Sequence, residues 1–82
     1  MTHKIKIHRT YASEHLRGVK YWELRKNDRD YKEGDFLNFT VVTERNNPTG
    51  MTYLRKITNV FHGGVYGLQE GFCILSISGV VY

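Results

Sequence analysis

Between His3 and His8 the chain alternates, with Ile5 and Ile7 on one face and Lys4, Lys6 and His8 on the other. A period of two is that of a half-buried strand, so the first element is predicted to be β. Thr10 can cap a short helix from Tyr11 to about Arg17, and Gly18 suits its left-handed exit. Tyr11, His15 and Leu16 are the residues of that helix placed to face the core. The helix is short, so tertiary packing must hold it.

The alternation resumes at Lys20–Arg25 as a second strand. Trp22 and Leu24 share one face, read as the core face, and Tyr21, Glu23 and Arg25 share the other. A polar loop over 26–30 and a turn over 32–35 lead to Phe36–Thr43, rich in aromatic and β-branched residues. The run Asn46-Asn47-Pro48-Thr49-Gly50 has the composition of a hairpin tip. Thr52–Phe61 returns as a strand with Leu54, Ile57, Val60 and Phe61 as core candidates. His62–Gly67 is a glycine-rich loop, Phe72–Ser78 is the last clear strand, and Val80 and Val81 extend the sheet. Five short strands and one helix predict one mainly β domain over residues 1–82, a small barrel. Its core is expected to hold Ile5, Ile7, Trp22, Leu24, Leu37, Phe39, Ile57 and Ile74.

Charge divides this pattern unevenly. Residues 1–32 hold nine Lys/Arg against four Asp/Glu, and residues 33–82 hold three against four. A basic first half favours anionic partners and speeds encounter with them. The alternative is a solvated face that only aids solubility. Cys73 is the sole cysteine, which excludes an intrachain disulfide, and its apolar neighbours Phe72, Ile74 and Leu75 predict a buried, inert thiol. No run approaches the ~20 apolar residues of a membrane span, and the opening residues lack a secretory signal. A cytoplasmic protein is expected.

Candidate chemistry narrows quickly. His3, His8, His15 and His62 have no metal-ligand spacing, so no metal is expected, and no cofactor motif is present. The stretch Gly63-Gly64-Val65-Tyr66-Gly67 lacks the Lys-Ser/Thr and the following helix of a phosphate loop, and reads as a turn needing positive φ angles. The densest polar constellation is Lys20–Asp30. Glu23 and Arg25 point the same way, Lys20 stands at the strand entrance, and Arg25 offers a planar fork that suits phosphate or a base edge. The competing reading is an ion-pair lattice in which Glu23, Asp28 and Asp30 hold Arg25 and Arg29.

Gly18-x-Lys20-x-x-Glu23-x-Arg25 resembles the G-x-K-x-x-E-x-R signature of the ASCH domains of the PUA-like superfamily. The resemblance continues through His3-Lys4-Ile5-Lys6, the run from Leu24 to Tyr31, Gly34-Asp35, Thr49-Gly50, Gly67-Leu68 and Glu70-Gly71-Phe72, landmarks of a small bacterial and phage branch. It implies a PUA-like pseudobarrel of about five strands with one short helix, a cleft beside the signature strand, and RNA binding. Some small ASCH proteins resemble amidohydrolases that remove acetyl from modified cytidine, using a lysine at the place of Lys20 and a threonine at the place of Glu23. Here Glu23 replaces that threonine, and the stretch between Phe61 and Phe72 is too short for their inserted helix.

Two functions follow as expectations. In the first, Lys20, Arg25 and Arg29 bind phosphate or a base edge of RNA or a nucleotide, Glu23 orients them or accepts from an amino group, and Tyr21 either stacks on a base or packs under the helix. In the second, Lys20 or Glu23 is a general base toward a nucleotide-like amide; Glu23 and Asp30 beside Lys20 favour binding over catalysis. A protein-contacting adaptor is a third reading, which an exposed apolar patch would support.

Overall fold

The computed structural model describes residues 1–79; Val80 and Val81, expected to extend the sheet, lie outside them. The elements are β1 (Thr2–His8), α1 (Arg9–Leu16), β2 (Trp22–Lys26), β3 (Phe36–Val42), β4 (Pro48–His62) and β5 (Phe72–Ile77). The sheet order is β1-β3-β4-β5-β2, with β1 parallel to β3 and every other pair antiparallel.

β4 joins the two halves. Its first part pairs with β3 and its second with β5, and the register shifts between Ile57 and Asn59. The extra residue of such a bulge bends the strand and reverses its alternation. Tyr53, Arg55 and Ile57 therefore face inward before the bulge, and Val60 packs on the core after it. This corrects the expected core of that strand: Leu54 is half-buried and Phe61 is exposed.

Ile5, Ile7, Leu37, Phe39, Val41, Ile57, Cys73, Leu75 and Ile77 fill the interior as one cluster, with Tyr31 and Ala12. Burial pushes the Cys73 thiol upward, as an inert side chain requires. The helix lies against β1 and β3, burying Ala12 and His15, whereas Tyr11 and Leu16 are exposed. Its N-cap is His8 without a side-chain cap; Thr10 instead donates to Glu44, 3.3 Å away, beside the Arg9–Glu44 ion pair. At the other end Gly18 takes φ +74° and donates to the His15 carbonyl at 3.1 Å, the left-handed exit its sequence predicts.

Three other expectations change. The Asn46–Gly50 stretch is not a hairpin tip: the turn closes earlier, with Asn46 N–H donating to Thr43 O at 2.8 Å and Asn46 at φ +64°. Pro48 and Thr49 already belong to β4. β2 has its faces reversed: Glu23 is 6% exposed, while Trp22 and Leu24, expected in the core, are 47% and 49% exposed. The largest correction is to the barrel. Among the described residues the sheet is open, because β1 and β2 are its two edges and share no ladder. A PUA-like pseudobarrel is therefore not what this chain forms; side chains, not backbone pairing, span the gap. No helix among the described residues is long and apolar enough to cross a membrane.

Candidate functional site in the open seam

The groups facing the gap follow from ladder phase. In an antiparallel pair, residues that exchange ladder bonds alternate with residues whose N–H and C=O point away. Tyr21 O accepts from Ile77 N–H at 2.9 Å and Asn27 N–H donates to Gly71 O at 2.8 Å, so odd positions of β2 serve β5. Trp22, Leu24 and Lys26 consequently turn their backbone polar groups toward β1. On β1, Met1 O accepts from Phe36 N–H at 2.9 Å, which directs odd positions to β3 and leaves Lys4, Lys6 and His8 facing β2.

Side chains take most of the carbonyls in this seam. Arg29 Nη1 donates to Lys4 O at 2.6 Å and Arg25 Nη2 to Lys6 O at 2.7 Å. His15 Nε2 donates to Trp22 O at 3.1 Å, and Asp28 N–H to Lys26 O at 2.9 Å. The N–H groups of Lys6, His8, Trp22 and Leu24 find no protein acceptor among the described residues, and Leu24 O finds no donor. Backbone donors therefore outnumber free backbone acceptors along the gap.

A cavity of about 440 Å³ opens here. Lys6 and His8 of β1, Tyr11 of α1, and Lys20, Trp22 and Glu23 on the β2 side line it, together with Leu24 and Arg25. Glu23 is its electrostatic centre. Oε2 accepts from Arg25 Nε at 2.9 Å and lies 2.8 Å from Nη2, while Oε1 sits 3.5 Å from His15 Nε2 and 3.7 Å from Lys20 Nζ. The Lys20 ammonium lies between two rings, 4.5 Å from the centre of Trp22 and 4.9 Å from that of Tyr11. With Lys6, the cavity sets three cations against one carboxylate.

Behind this wall His15 is held in one tautomer. Burial lowers its pKa, outweighing the carbonyl of Trp22 and the charge of Glu23, which both favour protonation. A neutral ring that donates from Nε2 must accept at Nδ1, where Tyr53 Oη lies at 2.8 Å. Burial also raises the Tyr53 pKa, keeping that hydroxyl a donor. Arg55, buried two residues further along β4, donates to His15 O at 3.0 Å and Ser78 O at 2.9 Å, and its Nε has no hydrogen-bond partner among the described residues. The chain His15–Tyr53–Arg55 thus ties helix, β4 and β2 together.

Of the residues singled out by sequence, Lys20, Glu23 and Arg25 meet in one cavity. Arg29 lies further along the seam on Lys4 O, Asp30 pairs with Lys32 at 3.1 Å rather than with Lys20, and Tyr21 is exposed beside the Gly18 turn. Lys6, His8, Tyr11 and Trp22 were not among the site candidates. The glycine-rich loop lies elsewhere: Gly63 N–H donates to Phe72 O and Gly64 N–H to Leu68 O. A Cβ on Gly63 would meet Gln69 O at 2.0 Å, so close approach demands glycine there. Among the described residues no group of three or more His, Cys, Asp or Glu could hold a metal ion.

The chain belongs to the family described as Domain of unknown function (DUF3850), whose family model matches residues 2–77. This corrects the ASCH assignment drawn from Gly18–Arg25: DUF3850 is the family that matches, and the open sheet lacks the barrel that assignment implied. No curated protein matches the chain.

Proposed function

We propose that the seam cavity binds a nucleotide or a nucleotide of single-stranded RNA. The observation that carries this reading is the pairing of two half-exposed aromatic rings, Tyr11 and Trp22, with three cations around a single buried carboxylate. A flat ring offers a base a stacking surface worth about 1–3 kcal/mol. Cations supply the salt-dependent attraction to phosphate. Trp22 is better placed for stacking than Tyr21, Lys6 joins Arg25 as a phosphate contact, and Lys20, beside both rings, adds positive charge at the base end. A cytoplasmic location, where such ligands abound, is part of the same proposal.

The test is a titration of single-stranded RNA and of free nucleotides at two salt concentrations. Trp22→Ala should weaken binding about tenfold with the salt slope unchanged, the signature of a lost stack. Lys6→Ala should lower the salt slope for RNA by about 0.7–1, that of one phosphate contact. Absence of binding by the native chain, or unchanged affinity in both folded variants, would remove this reading.

A further inference from the structure

The unpaired edges of β1 and β2 could receive an extended peptide or an acceptor-rich small ligand, and the two demand opposite backbone chemistry. Strand addition requires an edge that alternates free N–H and free C=O groups. This edge does not offer them: guanidinium groups already occupy Lys4 O and Lys6 O, and the His15 ring occupies Trp22 O. The remaining groups at the cavity are mostly donors, the N–H groups of Lys6, His8, Trp22 and Leu24. Unpaired N–H groups at the edge of a sheet, beside cationic side chains, are suited to anions.

We infer that the seam is a phosphate-binding edge: the N–H groups of Lys6 and His8 on β1 and of Leu24 on β2, with the Lys6 and Arg25 side chains, hold the phosphate of the nucleotide. The inference rests on the nucleotide reading and assigns the ligand's two ends, phosphate to the seam and base to Trp22 and Tyr11. Arg25 is central to it. Its Nε and Nη2 are engaged by Glu23 and Lys6 O, so the guanidinium is held in place before a ligand arrives. Glu23, in turn, keeps an anionic ligand off the His15 side of the cavity by repulsion and leaves the seam as the favourable place for negative charge.

The experiment follows backbone amide resonances of ¹⁵N-labelled protein during titration with inorganic phosphate, adenosine 5′-monophosphate, adenosine, the dinucleotide ApA and an extended peptide. Inorganic phosphate and the monophosphate should move the Lys6, His8 and Leu24 amides, and the monophosphate should bind at least about tenfold more tightly than adenosine. ApA moving the same amides would assign the site to an RNA phosphodiester; movement by the monophosphate alone would assign it to free nucleotides. Adenosine binding as tightly as its monophosphate, with Trp22→Ala weakening both, would overturn the phosphate edge and leave the nucleotide reading standing. The peptide alone moving these amides would overturn the phosphate edge in favour of strand addition. No response to any nucleotide, to ApA or to phosphate would overturn both.

Discussion

β1 and β2 are both edge strands, both alternate apolar with charged residues, and they border the same gap, yet they bury opposite faces. In β1 the apolar set goes inward, Ile5 and Ile7 being buried while Lys4 and Lys6 are exposed. In β2 the carboxylate goes inward, and Trp22 and Leu24 look outward. The difference lies in what each strand's inner face meets. The inner face of β1 looks onto Leu37, Phe39 and the core. That of β2 looks onto the His15 ring, the gap and the carbonyls of β1, where polar groups need partners. An apolar side chain at position 23 or 25 would leave those groups unpaired, at roughly 1–3 kcal/mol each. On the outer face Leu24 is still partly sheltered, because the registers set it beside Ile74 and Ile74 beside Phe61. Alternation is thus satisfied twice with opposite sign.

The contrast is sharpest in apolar truncation. Ile7→Ala removes a fully enclosed side chain and should lower unfolding free energy by about 2–5 kcal/mol. Leu24→Ala, half in solvent, should cost less than about 1 kcal/mol. Denaturant titration of the two variants decides it, and equal losses would break the contrast.

Charge removal should give the reverse ranking. Glu23→Gln leaves Arg25 and Lys20 without their common counter-charge and should cost about 1–3 kcal/mol, less than a fully buried pair because both cations retain some solvent. Lys4→Gln on β1 is exposed and should change stability by less than about 0.5 kcal/mol. If denaturant midpoints of the two coincide, the charged inner face of β2 is not what holds it.

The smallest effect concerns how β2 is attached to the helix. His15 is neutral in the fold, with its pKa depressed by burial from the ordinary 6.5. Its contribution is therefore complete above pH 6.5 and is lost as pH falls from there toward the depressed folded value, since only the unfolded chain takes up the proton. Stability should decline over that window with a slope below about 1.4 kcal/mol per pH unit. Tyr53, Glu23, Lys20 and Arg55 surround the ring, and His15→Gln should flatten the slope. A slope retained in that variant would assign it to another group.

Several features are legible in the sequence because they are local. Ile5 and Ile7, Leu37 and Phe39 lie inward as their alternation predicts, and Gly18 ends the helix because a left-handed exit favours a residue without Cβ. Lys20, Glu23 and Arg25 had to be neighbours, being two or three residues apart on or beside one strand. The bulge after Ile57 was hidden, since one inserted residue in a run of Leu, Ile, Val and Phe leaves hydrophobicity unchanged while reversing which positions point inward. Lys6, His8 and Tyr11 could not be joined to Lys20 from the sequence, because that junction depends on two edge strands meeting through a crossover sheet order.

Alternation by itself determined that β1 and β2 are strands and which of their residues share a face, because side-chain period is a property of the extended backbone alone. It left open which face is inside, whether the sheet closes, and which groups line the gap. Those were decided when β3, β4 and β5 came between β1 and β2. An unpaired edge exposes carbonyls that only distant donors, Arg25, Arg29 and His15, can satisfy. Satisfying them turned the charged face of β2 inward and left unpaired N–H groups at the mouth of the cavity.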